Sequence, residues 1–393
     1  MPASPAPRSL TVKRLPPVAL AVALLAGAAS ADTLVLRDGT SIDGVKVTAE
    51  TWQRVEFKQP KVGTPQSRPA VEVREVVYAS TSSDFREGQK AAAAGDAVTA
   101  AAYFDAAVAD DKLPLFVRAT ARRLAADLWL AAGNLVDAGE AYDDLLETFE
   151  NSRHRPAALA GKGQALLQSA DFAGARKAFE ALKAEARDKG FGERWEIEAD
   201  YFGLVAVVAG KLKGADGQPV DAIAGFEAIR QRAEGKDVEL VARCRVQIGR
   251  VHLGEGRDDA ARTLFESILA DRLDLPAEVV AGAYNGRGRT LFNQASARLD
   301  AADATAARGD KAKAAAQRDE ALALFRDARL DFLRVFTQYG SVQGQQAEAL
   351  FWAAQCFDNI GDTDASARSR VLLRLCETNY PNSPWGQRAR QSQ

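Results

Sequence analysis

Three cysteines and two histidines are all that this chain of 393 residues carries. Cys244, Cys356 and Cys376 are too few and too scattered for a disulfide framework. Cys356 and Cys376 fall on the two arms of one predicted helical hairpin around Gly361-Asp362. At about 1.5 Å per residue they are offset along the axis by on the order of 13 Å, whereas a bridge needs Cα atoms within about 7 Å. All three are expected as buried thiols. Together with His154 and His252 they offer no metal-ligand spacing. The sequence also lacks a Walker motif and a Gly-x-Ser-x-Gly elbow. The glycines from Gly282 to Gly288 fall inside a helical pattern and follow no strand, so they read as close helix packing rather than a phosphate loop. No cofactor, metal or catalytic set is expected, and the chain reads as a non-enzyme.

Charge of one sign is lacking too. The formal net charge is −2, and no basic stripe suggests nucleic acid. Long apolar runs are confined to the start. Arg8, Lys13 and Arg14 precede Val18 to Ala29, and Ala29-Ser30-Ala31 offers a small-residue cleavage site before Asp32. The run is short of the roughly 20 residues a span needs. Residues 1–31 are therefore expected to be a signal peptide, with no integral membrane span after cleavage. No cysteine stands at this site to accept a lipid. Losing those three cations would take the net charge from −2 to −5.

What the chain has is a recurring spacing. Gly88, Gly95, Ala100, Phe104 and Ala107 are echoed by Ala126, Gly133, Ala138, Tyr142 and Leu145. The same offsets return as Gly163, Ala170, Ala175, Phe179 and Leu182, then as Gly249, Gly256, Ala261, Phe265 and Ile268. A small residue, a turn, an Ala and then an aromatic describe a helix–turn–helix unit that cannot bury its apolar face alone. Stacking such units gives an α-solenoid. Residues 33–78 read differently, as four or five short strands with a turn at Asp38-Gly39 and a bend at Gly44. Trp52, Val55 and Phe57 suggest one strand, and Lys61 to Pro69 a loop. Trp52 and Tyr78 are either ligand-stacking aromatics or ordinary strand residues.

The repeated spacing resembles the tetratricopeptide repeat (TPR) family over about three quarters of the chain. The stretch Leu34 to Thr40, followed by Ile42-Asp43-Gly44, resembles the small SH3-like or Sm-like barrels found behind signal peptides in bacterial envelope proteins. The expected fold is thus mainly α, a TPR-type α-solenoid preceded by a small β-barrel. Its expected parts are a barrel at 32–80, repeats at 81–275, a long helical hairpin at 276–340 and a last repeat with a tail at 341–393. The tail, Tyr380-Pro381-Asn382-Ser383-Pro384, looks like that of periplasmic and outer-membrane-associated repeat proteins.

The resemblance implies function. First helices of the repeats line a concave groove, which the register gives Arg123, Asp127, Gln164, Arg243, Arg250 and Gln355. Some family members clamp a peptide carboxylate with Lys and Asn. The matching positions here hold Phe85, Gln89 and Leu124, which speaks against such a clamp. His252 stands at a core aromatic position and is expected to be buried and satisfied. His154 lies in an inter-repeat turn and is expected to be solvated. The chain is expected to be an exported scaffold of the bacterial periplasm or cell envelope, binding other envelope proteins through the groove. Binding of cell-wall glycan through the barrel, or service as an accessory subunit of an envelope enzyme, are the alternatives.

Overall fold

The computed structural model describes residues 31–392, apart from 61, 63, 215–216, 272–273, 341 and 382. All of the expected signal peptide but Ala31 lies outside the described residues. The chain divides into two compact units at Glu234/Gly235. It is mainly α, built of TPR-type helical hairpins behind a small antiparallel sheet.

In the N-terminal unit the strands are β1 (Asp32–Leu36), β2 (Ser41–Glu50), β3 (Arg54–Lys58), β4 (Pro65–Pro69) and β5 (Val73–Val77), with a 3-10 turn at Ala70–Glu72 before β5. Their order is β4-β3-β2-β1-β5, antiparallel throughout. β2 serves two ladders. Its first half pairs with β1 (Ser41 with Val35, Val45 with Asp32) and its second half with β3 (Lys46 with Lys58, Glu50 with Val55). That shared strand curls the sheet around Leu34, Val45, Val47, Val55, Phe57 and Val76. No pairing among the described residues closes β4 onto β5, so the sheet is open. Two sequence expectations change. Trp52 lies in the β2–β3 turn rather than in a strand, and the expected loop at Lys61 to Pro69 ends in β4. Its bounding prolines mask the strand in the sequence and suit an edge, where a missing N–H costs no ladder bond.

Eight helices follow in this unit: α1 (Ser83–Ala93), α2 (Ala97–Ala109), α3 (Leu115–Ala132), α4 (Leu135–Thr148), α5 (Arg155–Gln168), α6 (Phe172–Lys189), α7 (Glu193–Ala209) and α8 (Ala222–Ala233). Local chemistry sets the turns. Gly95 and Gly133 take positive φ after α1 and α3. Asp96, Asp171 and Asp221 then accept the N–H of the third helical residue. At the α5–α6 turn Ala170 occupies the left-handed conformation that glycine holds elsewhere, at φ 63°.

The small and aromatic positions meet as the spacing predicts. The Phe104 ring lies against Gly88, and a Cβ on Gly88 would come within 3.1 Å of it. A Cβ on Gly163 would come within 2.5 Å of Phe179. Tyr142 reaches forward to the next hairpin, where a Cβ on Gly161 would sit 2.1 Å from its ring. Each aromatic thus packs into the space left by a missing Cβ.

The C-terminal unit is built of α9 (Val238–Gly254), α10 (Asp258–Ala270), α11 (Ala277–Ala307), α12 (Lys311–Gln338), α13 (Gln343–Ile360), α14 (Ala365–Asn379) and α15 (Pro384–Gln391). Here Phe265 is flanked by Gly249 of its own hairpin and Gly286 of the next, and Phe332 lies on Gly288. Those contacts explain the glycine-rich run of α11. Arg287 holds Asp331 with two bonds of 2.7 and 2.6 Å, tying α11 to α12. Cys244, Cys356 and Cys376 are all buried. Burial pushes the Cys376 thiol up to about 11, and its Sγ donates to Ala347 O at 3.3 Å. No described helix is long and apolar enough to cross a membrane.

Candidate functional site

Within the N-terminal unit the sheet docks on the repeats through a buried polar network. Glu50 ends β2 and Arg153 precedes α5. The two form an ion pair with side chains only 2% and 8% exposed. The Tyr78 hydroxyl also donates to Glu50, whose carboxylate can only accept. Tyr78 Oη lies 3.0 Å from Thr120 Oγ1, which lies 2.9 Å from His154 Nε2. The one Tyr78 proton goes to Glu50, so Thr120 donates toward Tyr78 and His154 Nε2–H donates to Thr120. Phe116 O, at 2.9 Å, shares the Thr120 proton. Tyr78 packs on Phe116, with ring centroids 5.8 Å apart. The Trp52 N–H donates to Asn151 O at 3.0 Å, adding a backbone bond beside the network. Asp32 fixes both ends of the module, accepting from Val47 N and Ala79 N at 2.8 Å each.

Burial shapes the titration of this network. It raises the Tyr78 phenol well above its ordinary range, and the Glu50 charge adds to the effect. It also drives His154 well below its ordinary value, with Arg153 and then Arg123 adding repulsion. His154 is only 6% exposed, so the expected solvated turn is corrected. The docked sheet covers that turn, a burial that local sequence could not announce.

Beside the network lies a cavity of about 700 Å³. One wall is the 3-10 turn and the whole of β5. The other is formed by α1, α3 and the starts of α5 and α7, all first helices of their hairpins. Phe85, Gln89 and Leu124, the positions that depart from the family clamp, line it together. Cations come from elsewhere: Arg37 and Arg74 from the sheet, Arg123 from α3, Arg153 and Arg194 from helix starts. Arg123 is held by Asp127 at 2.5 Å, and Asp127 also accepts from Tyr142 at 2.8 Å. Arg37 donates to Val71 O at 2.9 Å. Desolvation lowers its pKa, and Arg194, Arg153 and Arg74 lower it further. Trp52 and Tyr78 both line the cavity, but each also packs on a neighbour, Trp52 edge-on against Phe191 at 5.9 Å.

The remaining groove candidates lie apart from this cavity. Gln164 is half-buried on α5. In the C-terminal unit, Arg243 pairs with Glu239 at 2.6 Å and Glu278 at 3.5 Å. Arg250 bonds Gln345 at 3.1 Å, and the same amide oxygen accepts from Asn285 at 3.0 Å. Gln355 is half-buried on α13. The structure therefore brings Arg123 and Asp127 to one site and leaves Arg243, Arg250 and Gln355 in another unit. His252 is corrected as well. It is half-buried in the last turn of α9, and its buried Nδ1 finds no hydrogen-bond partner among the described residues, so it is not satisfied. Sequence reasoning missed Arg37, Arg74, Arg153 and Arg194, which are separated along the chain and share no motif. No group of metal-ligating side chains gathers among the described residues.

No protein-family model and no curated protein matches the chain. Among solved structures it is similar to a tetratricopeptide repeat protein from Parabacteroides merdae ATCC 43184, at 14% identity and a TM-score of 0.41, covering 75% of this chain and 97% of that one. It is also similar to NprR in complex with its cognate peptide NprX, at 12% identity and a TM-score of 0.36, covering 79% and 87%. The TPR domain of P58(IPK) follows at 16% identity and a TM-score of 0.25, covering 78% and 86%. The fold assignment rests on the chain's own hairpin geometry.

Proposed function

We propose that this chain is an exported, non-enzymatic scaffold of the bacterial periplasm or cell envelope, and that it binds segments of other envelope proteins. The observation that carries the reading is the cavity on the first-helix side of the N-terminal repeats, where a cationic rim meets an apolar floor. Sites of 300–1,000 Å³ with a few convergent polar groups are typical of ligand recognition. Arg123 and Asp127 belong to this site. Arg243, Arg250, Gln164 and Gln355 are assigned as further groove contacts. The finer reading of the sheet as SH3-like is supported by β2 serving two ladders and by the 3-10 turn ahead of β5. Export is supported by the basic start and apolar run ahead of Asp32.

Photo-crosslinking in cells tests the reading. A crosslinking residue at Gln89, in the cavity, is expected to capture a protein, whereas one at exposed Val371 is not. Capture of wall glycan alone at Gln89 would move the function to glycan binding. Equal capture at both positions would remove the site assignment. N-terminal sequencing of the exported protein is expected to begin at Asp32.

A further inference from the structure

The two edges of the sheet differ. β4 is bounded by Pro65 and Pro69, which donate no backbone hydrogen bond, so that edge resists a further strand. β5 contains no proline. It pairs with β1 on one side, from Val73 with Leu36 to Val77 with Thr33. The Val73 N–H closes the 3-10 turn on Ala70 O, and beyond that bond no hydrogen bond joins the other side of Arg74–Val77 to a described residue. Backbone N–H and C=O groups in such a row are a ready template for one more strand. All five residues of β5 line the cavity.

The charges beside this edge have one sign in excess. Arg153 and Arg123 are committed to Glu50 and Asp127. Arg37 and Arg74 form no ion pair with a described carboxylate, and Arg37 keeps most of its donors after its one bond to Val71 O. Arg194 also lines the cavity but pairs with Glu198 at 3.9 Å. Guanidinium groups grip carboxylates with two parallel bonds. We infer that the free edge of β5 is a strand-addition site, where an extended acidic segment of a partner protein pairs with Val73–Val77 and sets its carboxylates on Arg37 and Arg74. Backbone pairing supplies affinity, and the arginines supply register and sign. The inference rests on reading this cavity as the partner site.

The test uses the full chain and four labelled, end-blocked heptapeptides, read by fluorescence anisotropy. The parent alternates Glu and Val. Two derivatives carry N-methyl groups, one on every Val and the other on every Glu, so each loses the donors of one strand edge. The fourth replaces Glu by Lys. The parent is expected to bind. One N-methylated peptide should lose about tenfold or more while the other stays near the parent, because only the edge facing β5 matters. The Lys peptide should lose at least about tenfold. The Arg37→Glu/Arg74→Glu protein should reverse the order of the Glu and Lys peptides. Equal binding of the parent and both N-methylated peptides overturns backbone pairing, and equal binding of the Glu and Lys peptides overturns the charge assignment. If no peptide binds at millimolar concentration while Gln89 still crosslinks a partner in cells, strand addition is wrong and the scaffold reading stands. Loss of the Gln89 crosslink overturns the scaffold reading itself.

Discussion

At the scale of the residue, the Glu50–Arg153 pair has the most at stake. Removing one partner of a buried pair strands the other charge away from water. Arg153→Met is therefore expected to cost about 3–5 kcal/mol in urea unfolding. Glu50→Gln combined with Arg153→Met should recover much of that loss, because no net charge then stays buried. His154 gives a pH signature. Folding holds it neutral, with its pKa driven below the ordinary value near 6.5 by burial and then by Arg153 and Arg123. The unfolded chain takes up the proton first, so its stabilising contribution is complete above about pH 6.5 and is lost as pH falls from there toward the folded value. Unfolding free energies between about pH 7.5 and 5 should decline by up to about 1.4 kcal/mol per unit. His154→Gln should flatten that slope, and His252→Gln, at a half-buried position, should change it less.

At the scale of the element, the glycine–aromatic contacts predict a graded series. An added methyl must be absorbed at 3.1 Å from Phe104 in Gly88→Ala, at 2.5 Å from Phe179 in Gly163→Ala, and at 2.1 Å from Tyr142 in Gly161→Ala. Overpacking a close-packed interior costs about 1–3 kcal/mol, and melting temperatures should fall in that order. Phe179→Ala, emptying a site only 1% exposed, should cost about 3–5 kcal/mol. An unchanged melting temperature for Phe179→Ala would remove the hairpin register. The Gly88–Phe104 and Gly163–Phe179 contacts were legible in the sequence because a hairpin is local, with turn, cap, small residue and aromatic all within one repeat length, whereas Gly161–Tyr142 joins two hairpins and was not. β4 was not, because its prolines speak the language of loops until a neighbouring strand shows them to be an edge. His154 was misread for a related reason. Its burial comes from a sheet more than seventy residues earlier in the chain, and no periodicity within the turn encodes that cover. The five arginines of the cavity lie on or beside five separate elements, so only the fold assembles them.

At the scale of the whole molecule, the division at Glu234/Gly235 makes a prediction about cutting. Gly235 takes a positive φ in an exposed stretch between α8 and α9. Limited proteolysis is expected to nick the chain between Glu234 and Asp237 before either unit is degraded. Early cleavage inside α5 or α11, with residues 234–237 intact, would argue against two compact units. Phe179→Ala should accelerate digestion of the N-terminal fragment and leave the C-terminal fragment unchanged, because the substitution lies in one unit alone.

The pair that docks the sheet spans 103 residues of sequence. Ribosomes add about 5–20 residues per second, so Glu50 is made roughly 5–20 s before Arg153 exists to meet it. The sheet can form its ladders at once, since all five strands precede residue 78. Its seat on the repeats cannot, because the third hairpin must first leave the ribosome. During that interval β5 and the Glu50 carboxylate face water together, and the first-made part of the described fold waits for its seat.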